Sequence, residues 1–294
     1  MPPHTHGRLL FSAIGIFTIF TYAPVAAAQA PSPAPSATPA ASASAMPAMA
    51  TDPCASLLAL VTRPTVTTSG CSVKPGQTLI ETGYTNQTTS GAGGGVVVTY
   101  PQAEVRIGLP RKWEFDVFVP SWNKTTMAPA TSGPGDASAG VKYEFGYTSR
   151  LLTGADVVAT VPIGAAPFTG GGPSYAYDVN AAYTLSPNVG LSATAGYNSV
   201  SAPGPTGAIE RFGTFSPSLV LADMLGRNFQ VFAEAYGSTT AGPGLGGRYG
   251  VDVGLQKDVG SRLQLDVEYG DTLTVIGGLH PHYVGFGAAY LFGR

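Results

Sequence analysis

The stretch R-L-Q-L-D-V-E-Y-G-D, Arg262 to Asp271, is followed by a loop around His280-Pro281-His282 and then by Y-V-G-F-G-A-A-Y-L-F, Tyr283 to Phe292. In steps of two, Leu263, Leu265, Val267 and Tyr269 fall on one face, and Gln264, Asp266 and Glu268 on the other. The second half sets Val284, Phe286, Ala288, Tyr290 and Phe292 against Tyr283, Gly285, Gly287 and Ala289. Side chains alternate across a strand, so this is a hairpin with one apolar face and one polar or small face. An aromatic-rich last strand of this kind predicts a closed barrel with lipid outside and a polar lumen.

Composition agrees. The 294 residues are 44% hydrophobic and only 11% charged, with 39 Gly and 25 Pro. An ordinary soluble domain carries about 25% charged residues. Beyond the N-terminal region no apolar run reaches the length of a helical span, about 18 residues. A formal charge of −2 offers no basic excess for nucleic acid.

Residues 1–28 read as a cleaved export signal: a weakly basic start with Arg8, an apolar stretch from Leu9 to Val25, and Ala26-Ala27-Ala28 before Gln29. Residues 29–50 are a Pro/Ala/Ser-rich spacer that cannot bury a core and is expected to be disordered. Residues 51–76 form a periplasmic N-terminal segment. In it Asp52 can cap a short helix, Pro53 fits the first helical position and Pro64 ends it. Leu57, Leu58, Leu60 and Val61 give that helix an apolar side, which either packs at the barrel mouth or plugs the lumen. Cys54 and Cys71 are the only cysteines. In an exported chain they are expected to pair, closing a loop worth about 3 kcal/mol in the chain-entropy model.

Residues 77–294 are the barrel. About twelve strands are expected, at 77–87, 96–109, 113–120, 139–149, 156–163, 175–185, 189–199, 211–222, 229–238, 248–258, 262–272 and 282–292. Tight turns such as Pro110-Arg111-Lys112 and Ser186-Pro187-Asn188 alternate with longer Gly/Pro/Ser-rich loops at 88–95, 121–138, 164–174, 200–210, 239–247 and 273–281. Short turns on one side and long loops on the other is the pattern of a bacterial outer-membrane barrel. The fold class is therefore all-β: an antiparallel transmembrane β-barrel of about 12 strands in the bacterial outer membrane, with a short N-terminal helix.

The same period assigns faces. Sets such as Val105, Ile107, Leu109 and Phe115, Val117, Val119 should meet lipid. Glu104, Arg106, Glu114, Asp116, Lys142, Glu144, Asp178, Asn180, Glu234, Asp252, Asp266 and Glu268 should line the lumen, with Arg211 and Arg248 among the luminal cations. An Arg or Lys on the lipid face near the midplane costs about 2–4 kcal/mol, and a one-residue slip would put a whole polar set there. Aromatic belts are expected at Trp113, Tyr147, Phe229 and Phe292 on the turn side, and at Trp122, Tyr175, Tyr236, Tyr249 and Tyr283 on the loop side.

Several segments resemble the outer-membrane transporter-like family named for the meta-cleavage pathway of phenol degradation. They include D-P-C-A-S-L-L-A-L-V-T-R-P-T-V (52–66), Cys71 with K-P-G (74–76), G-V-K-Y-E-F (140–145), V-V-A-T-V-P-I-G (157–164), A-Y-T-L-S-P-N-V-G-L-S-A-T-A-G-Y (182–197), V-F-A-E-A-Y-G (231–237) and the closing hairpin. The resemblance implies an outer-membrane barrel that moves small compounds, aromatic or hydrophobic ones among them.

No catalytic constellation stands out, and no enzyme, cofactor or metal site is expected. His280 and His282 flank a proline in a loop, and a metal would need further converging ligands. G-x-G-x-x-G at Gly242–Gly247 precedes a strand, whereas a dinucleotide fingerprint precedes a helix. The expected function is a monomeric channel or facilitator for passive passage of small molecules. Its partners are outer-membrane lipid, the barrel-assembly machinery and the solute. The alternative is a structural or surface-interaction barrel with a blocked lumen.

Overall fold

The computed structural model describes residues 52–293. The export signal and the spacer at 29–50 lie outside the described residues. Twelve antiparallel strands form a single closed sheet. They are β1 (Gln77–Ser90), β2 (Gly95–Tyr100 and Ala103–Gly108), β3 (Trp113–Val119 and Trp122–Thr125), β4 (Thr131–Pro134 and Ala137–Tyr147), β5 (Leu151–Val161) and β6 (Ser174–Thr184). The second half is β7 (Val189–Pro203), β8 (Ile209–Met224), β9 (Phe229–Ser238), β10 (Arg248–Val259), β11 (Leu263–Thr272) and β12 (His280–Gly293). β2 and β3 are each interrupted at a proline, Pro101 and Pro120, which has no N–H to give to the ladder.

Closure comes from β1 and β12, paired along their whole length from Gln77↔Gly293 to Ser90↔His280. No sheet edge is left along this seam, which removes the unpaired row of N–H and C=O groups of an open sheet. The closing hairpin has the predicted alternation. Val267 and Tyr269 are 42% and 48% exposed on the outer wall, while Asp266 and Glu268 are 6% and 7% exposed inside.

The ends of the barrel differ from expectation in two ways. β5 begins at Leu151, so the turn before it is tight, because the T-G-A run pairs with β4 and β6 instead of looping. On the long-loop side the strands run on: Trp122–Thr125 pairs with Thr131–Pro134, and β7 and β8 extend to Pro203 and from Ile209. The connections 91–94, 126–130 and 204–208 are therefore short, and only 162–173, 239–247 and 273–279 are long. β8 has 16 residues, more than the ~9–11 a tilted strand needs to cross a bilayer, so the excess projects at this end.

Two aromatics expected in the outer belt are inside. Tyr236 is 3% exposed, and its hydroxyl donates to the Tyr283 hydroxyl at 3.3 Å. The Tyr283 hydroxyl in turn donates to Asp252 Oδ2 at 3.0 Å. Parity gives the reason: Tyr236 lies two residues from luminal Glu234, and Tyr283 shares the small face of its strand. Trp113, Trp122, Tyr147, Tyr175, Tyr249 and Phe292 are exposed on the outer surface. Arg211 is also corrected. It stands on the outer face with Phe215, at the projecting end, donating to Ser199 Oγ and the Pro173 carbonyl.

Candidate functional site

The site is the lumen, and residues 52–75 run into it from the short-turn end. A 3-10 turn, Pro53–Ala55, is capped by Asp52, whose Oδ1 accepts from the Cys54 N–H at 2.9 Å. A single helical turn, Leu57–Leu60, follows. Leu57, Leu60, Val61, Val73 and the Cys54–Cys71 disulfide pack on wall residues Leu79, Leu152 and Ala289. Too short to persist alone, this turn is held by packing and by the disulfide. The segment is a plug; between the two expectations for its apolar side, the structure selects the lumen.

Polar groups fix the plug on all sides of the wall. Arg106 is fully buried. Its Nε meets Glu114 Oε1 and its Nη1 meets Glu81 Oε1, each at 2.8 Å. The same guanidinium donates to the plug carbonyls of Leu60 (2.7 Å) and Cys71 (3.2 Å). Glu114 accepts from the Val73 N–H and lies 3.7 Å from Lys142 Nζ. Glu144 accepts from the Ser72 N–H and hydroxyl, and from Lys112 Nζ at 2.8 Å. That last bond raises Lys112, which lies in a turn, above the ordinary lysine value.

Across the lumen, Glu234 accepts from the Val66 N–H, the Thr67 N–H and the Thr67 hydroxyl at 2.6–2.7 Å. The Thr67 hydroxyl also meets Ser218 Oγ at 2.6 Å. Asn180 bridges Asp156 and Thr194, and Thr194 Oγ1 accepts from the Thr68 N–H. Gln256 Nε2 donates to the Arg63 carbonyl at 2.7 Å, and Arg63 Nη2 reaches Asp266 Oδ1 at 3.4 Å. Charged acceptors on backbone N–H groups are the strong kind of hydrogen bond, so the wall acids act largely as sockets for the plug.

Glu234→Gln will weaken plug docking while leaving the barrel closed. Losing a charged acceptor shared by three donors costs about 1.5–3 kcal/mol. Hydrogen exchange at Val66 and Thr67 will quicken by one to two orders of magnitude, and exchange in β1 and β12 will not change. Unaltered exchange at both plug amides would contradict this socket role.

Of the residues singled out by sequence, Arg106, Glu114, Asp116, Lys142 and Glu144 form one buried group with Glu81. Asp178 and Asn180 lie beside Asp156 on the neighbouring strand. Glu234 stands directly across from Asp252, and Asp266 and Glu268 line the opposite arc. Glu104 is half-buried and faces a cavity. Arg248 falls on the inner parity of β10, near the loop end. Sequence reading missed Glu81, Asp156, Gln256 and Arg63. Glu81 was hidden because β1 carries Thr, Asn and Gln on both faces and because Glu81 shares its face with apolar Leu79, which packs on the plug instead of facing outward.

Beyond the plug the lumen opens toward the long loops as a cavity of about 570 Å³. Arg63 of the plug and Glu81 are among its lining residues, as are Gln102, Asn123, Phe118 and Phe212. Loop 162–173 folds over it and brings in Phe168. Asp136 pins that loop, its two oxygens accepting from the Gly164 and Gly170 N–H groups, each at 2.9 Å. His280 Nε2 lies 2.9 Å from Asp271 Oδ1, on a half-exposed surface.

No protein-family model matches the sequence. No curated protein matches it either. Among solved structures, an outer-membrane channel from Pseudomonas putida F1 is similar with a TM-score of 0.58 at 16% identity, over 75% of this chain and 97% of that one. The NanC porin is similar with a TM-score of 0.52 at 11% identity, over 71% of this chain and 98% of that one. At such identities the likeness is one of fold: this chain has the closed antiparallel barrel found in outer-membrane porins and channels.

Proposed function

We propose that the protein is an outer-membrane channel for passive passage of small molecules, shut at its periplasmic half by residues 52–75. The carrying observation is the cavity of about 570 Å³ open toward the long loops, with Arg63 of residues 52–75 reaching into it. A segment held by hydrogen bonds and one small apolar cluster can leave; a wall strand cannot. The apolar outer face, the aromatics at its two rims and the polar interior suit a bilayer position. The family resemblance and the phenyl rings of Phe118, Phe168 and Phe212 in the cavity support aromatic or hydrophobic solutes. The export signal and assembly into the membrane as a monomer belong to the same reading.

Uptake of a panel of radiolabelled aromatic and aliphatic compounds, by cells with and without the gene, tests this. Faster entry of at least one compound class is expected with the gene. Identical entry of every compound would contradict the proposal. The dense contacts of the plug favour a second reading, a permanently blocked barrel that works through its loops.

A further inference from the structure

The cavity holds two charges whose bonding is incomplete, and they have opposite sign. Arg63 Nε is buried and has no hydrogen-bond partner among the described residues. Its other nitrogens reach only Gln102 Oε1 at 3.1 Å, Asp266 Oδ1 at 3.4 Å and the Phe286 carbonyl at 3.5 Å. Arg106, by contrast, has short contacts to two carboxylates and two carbonyls. The position of Arg63 is built into the wall. Its guanidinium lies on Gly83 and Gly287, which are cross-strand partners, and a Cβ on either would come within 2.2–2.4 Å of it. Two glycines at one level of the seam make a seat that no other residue type leaves open.

Glu104 is the counterpart. It lies on β2 on the same face as Gln102, the partner of Arg63, and it lines the same cavity. It feels the charges of Glu81, Arg106 and Lys142 but makes no hydrogen bond or ion pair with any of them. The other cavity acids are occupied: Glu81 by Arg106 and two plug N–H groups, and Asp136 by loop 162–173. Glu104 has Glu81 across from it on β1 and Phe118 across from it on β3, and Phe168 and Phe212 add apolar surface. A simple anion would meet Glu104, and a simple cation would meet Arg63. A molecule carrying both charges satisfies both.

We propose that the cavity binds a small zwitterion with an apolar or aromatic body, its carboxylate on Arg63 and its ammonium on Glu104. This deepens the channel reading by naming a solute class, and it rests on that reading for its role in transport. Arginine matches carboxylate geometry, and an ammonium beside aromatic rings gains cation–π attraction.

Calorimetric titration of the purified full chain in detergent tests it, with phenylalanine, phenethylamine and 3-phenylpropanoate as probes. Phenylalanine will bind at least about tenfold tighter than either analogue, as expected when one charged hydrogen-bonding group is lost. Arg63→Gln will erase the preference for phenylalanine over phenethylamine and keep the preference over 3-phenylpropanoate. Glu104→Gln will do the reverse. The crossed pattern keeps the test valid even if a variant loosens the plug. Equal binding of all three probes to the unaltered chain, or unchanged discrimination in both variants, would overturn the proposal. Failure here with solute uptake intact leaves the channel reading standing; the crossed pattern with no uptake of any compound overturns the channel reading alone.

Discussion

Arg106→Met will detach the plug and strip several kcal/mol from the folded state. The guanidinium is fully buried and joins Glu81 of β1, Glu114 of β3 and two plug carbonyls. Removing it leaves Glu81 without its cation and Glu114 with only the 3.7 Å contact to Lys142. Breaking a buried pair in this way costs about 3–5 kcal/mol, mostly because the stranded charges have lost their partner. The urea midpoint in micelles will fall accordingly. Adding Glu81→Gln and Glu114→Gln to Arg106→Met will recover part of the loss, since the two stranded carboxylates are then neutral, although buried Lys142 loses Glu114. The sockets for Val73 and Thr62 will still be weaker, so recovery will be incomplete. An Arg106→Met chain as stable as the original would show that the carboxylates are paired some other way.

Deleting residues 52–70, with Cys71→Ser to avoid a free thiol, will turn a closed barrel into a conducting one. The deleted stretch includes the residues that touch Glu234, Thr194, Gln256 and Asp266, so the segment keeps only the polar contacts of Cys71, Ser72 and Val73 with Arg106, Glu144 and Glu114. In planar bilayers the intact chain will show no resolved steps, and the deletion will show discrete ones. With Glu234, Asp252, Asp266 and Glu268 then facing water, current through the open form will favour cations. Asp266→Asn with Glu268→Gln in the deleted chain will reduce that preference. A deletion that folds but passes no current would favour the blocked-barrel reading.

Much of the fold can be read from the sequence, because a strand repeats every two residues and lipid punishes a misplaced charge. The closing hairpin with its apolar and polar faces, and most of the outer aromatics, follow from that one period. The misplaced tyrosines came from weighing nearness to a strand end above parity; Tyr236 shares the parity of Glu234. The strand extensions past Ser199 were obscured by Gly and Pro, which mark turns in most chains but here pair through Pro203. Plug docking was beyond the reach of periodicity. Arg63 meets Asp266 across more than two hundred residues, and Thr67 meets Glu234 across 167. Such contacts join one irregular segment to many strands, and no local pattern in T-R-P-T-V-T-T encodes them. The Cys54–Cys71 pair was legible for another reason, as two lone cysteines behind a stretch read as an export signal.

Residues 52–75 sit inside the barrel. Thr67 and Ser218 report on it directly, since their hydroxyl oxygens are 2.6 Å apart in the buried lumen. Thr67→Cys with Ser218→Cys should form a second disulfide under mild oxidation in intact cells, seen as a shift in non-reducing gel migration that neither single variant shows. A plug lying in the lumen gives that bond in nearly every molecule; a segment hanging outside the barrel gives two free thiols.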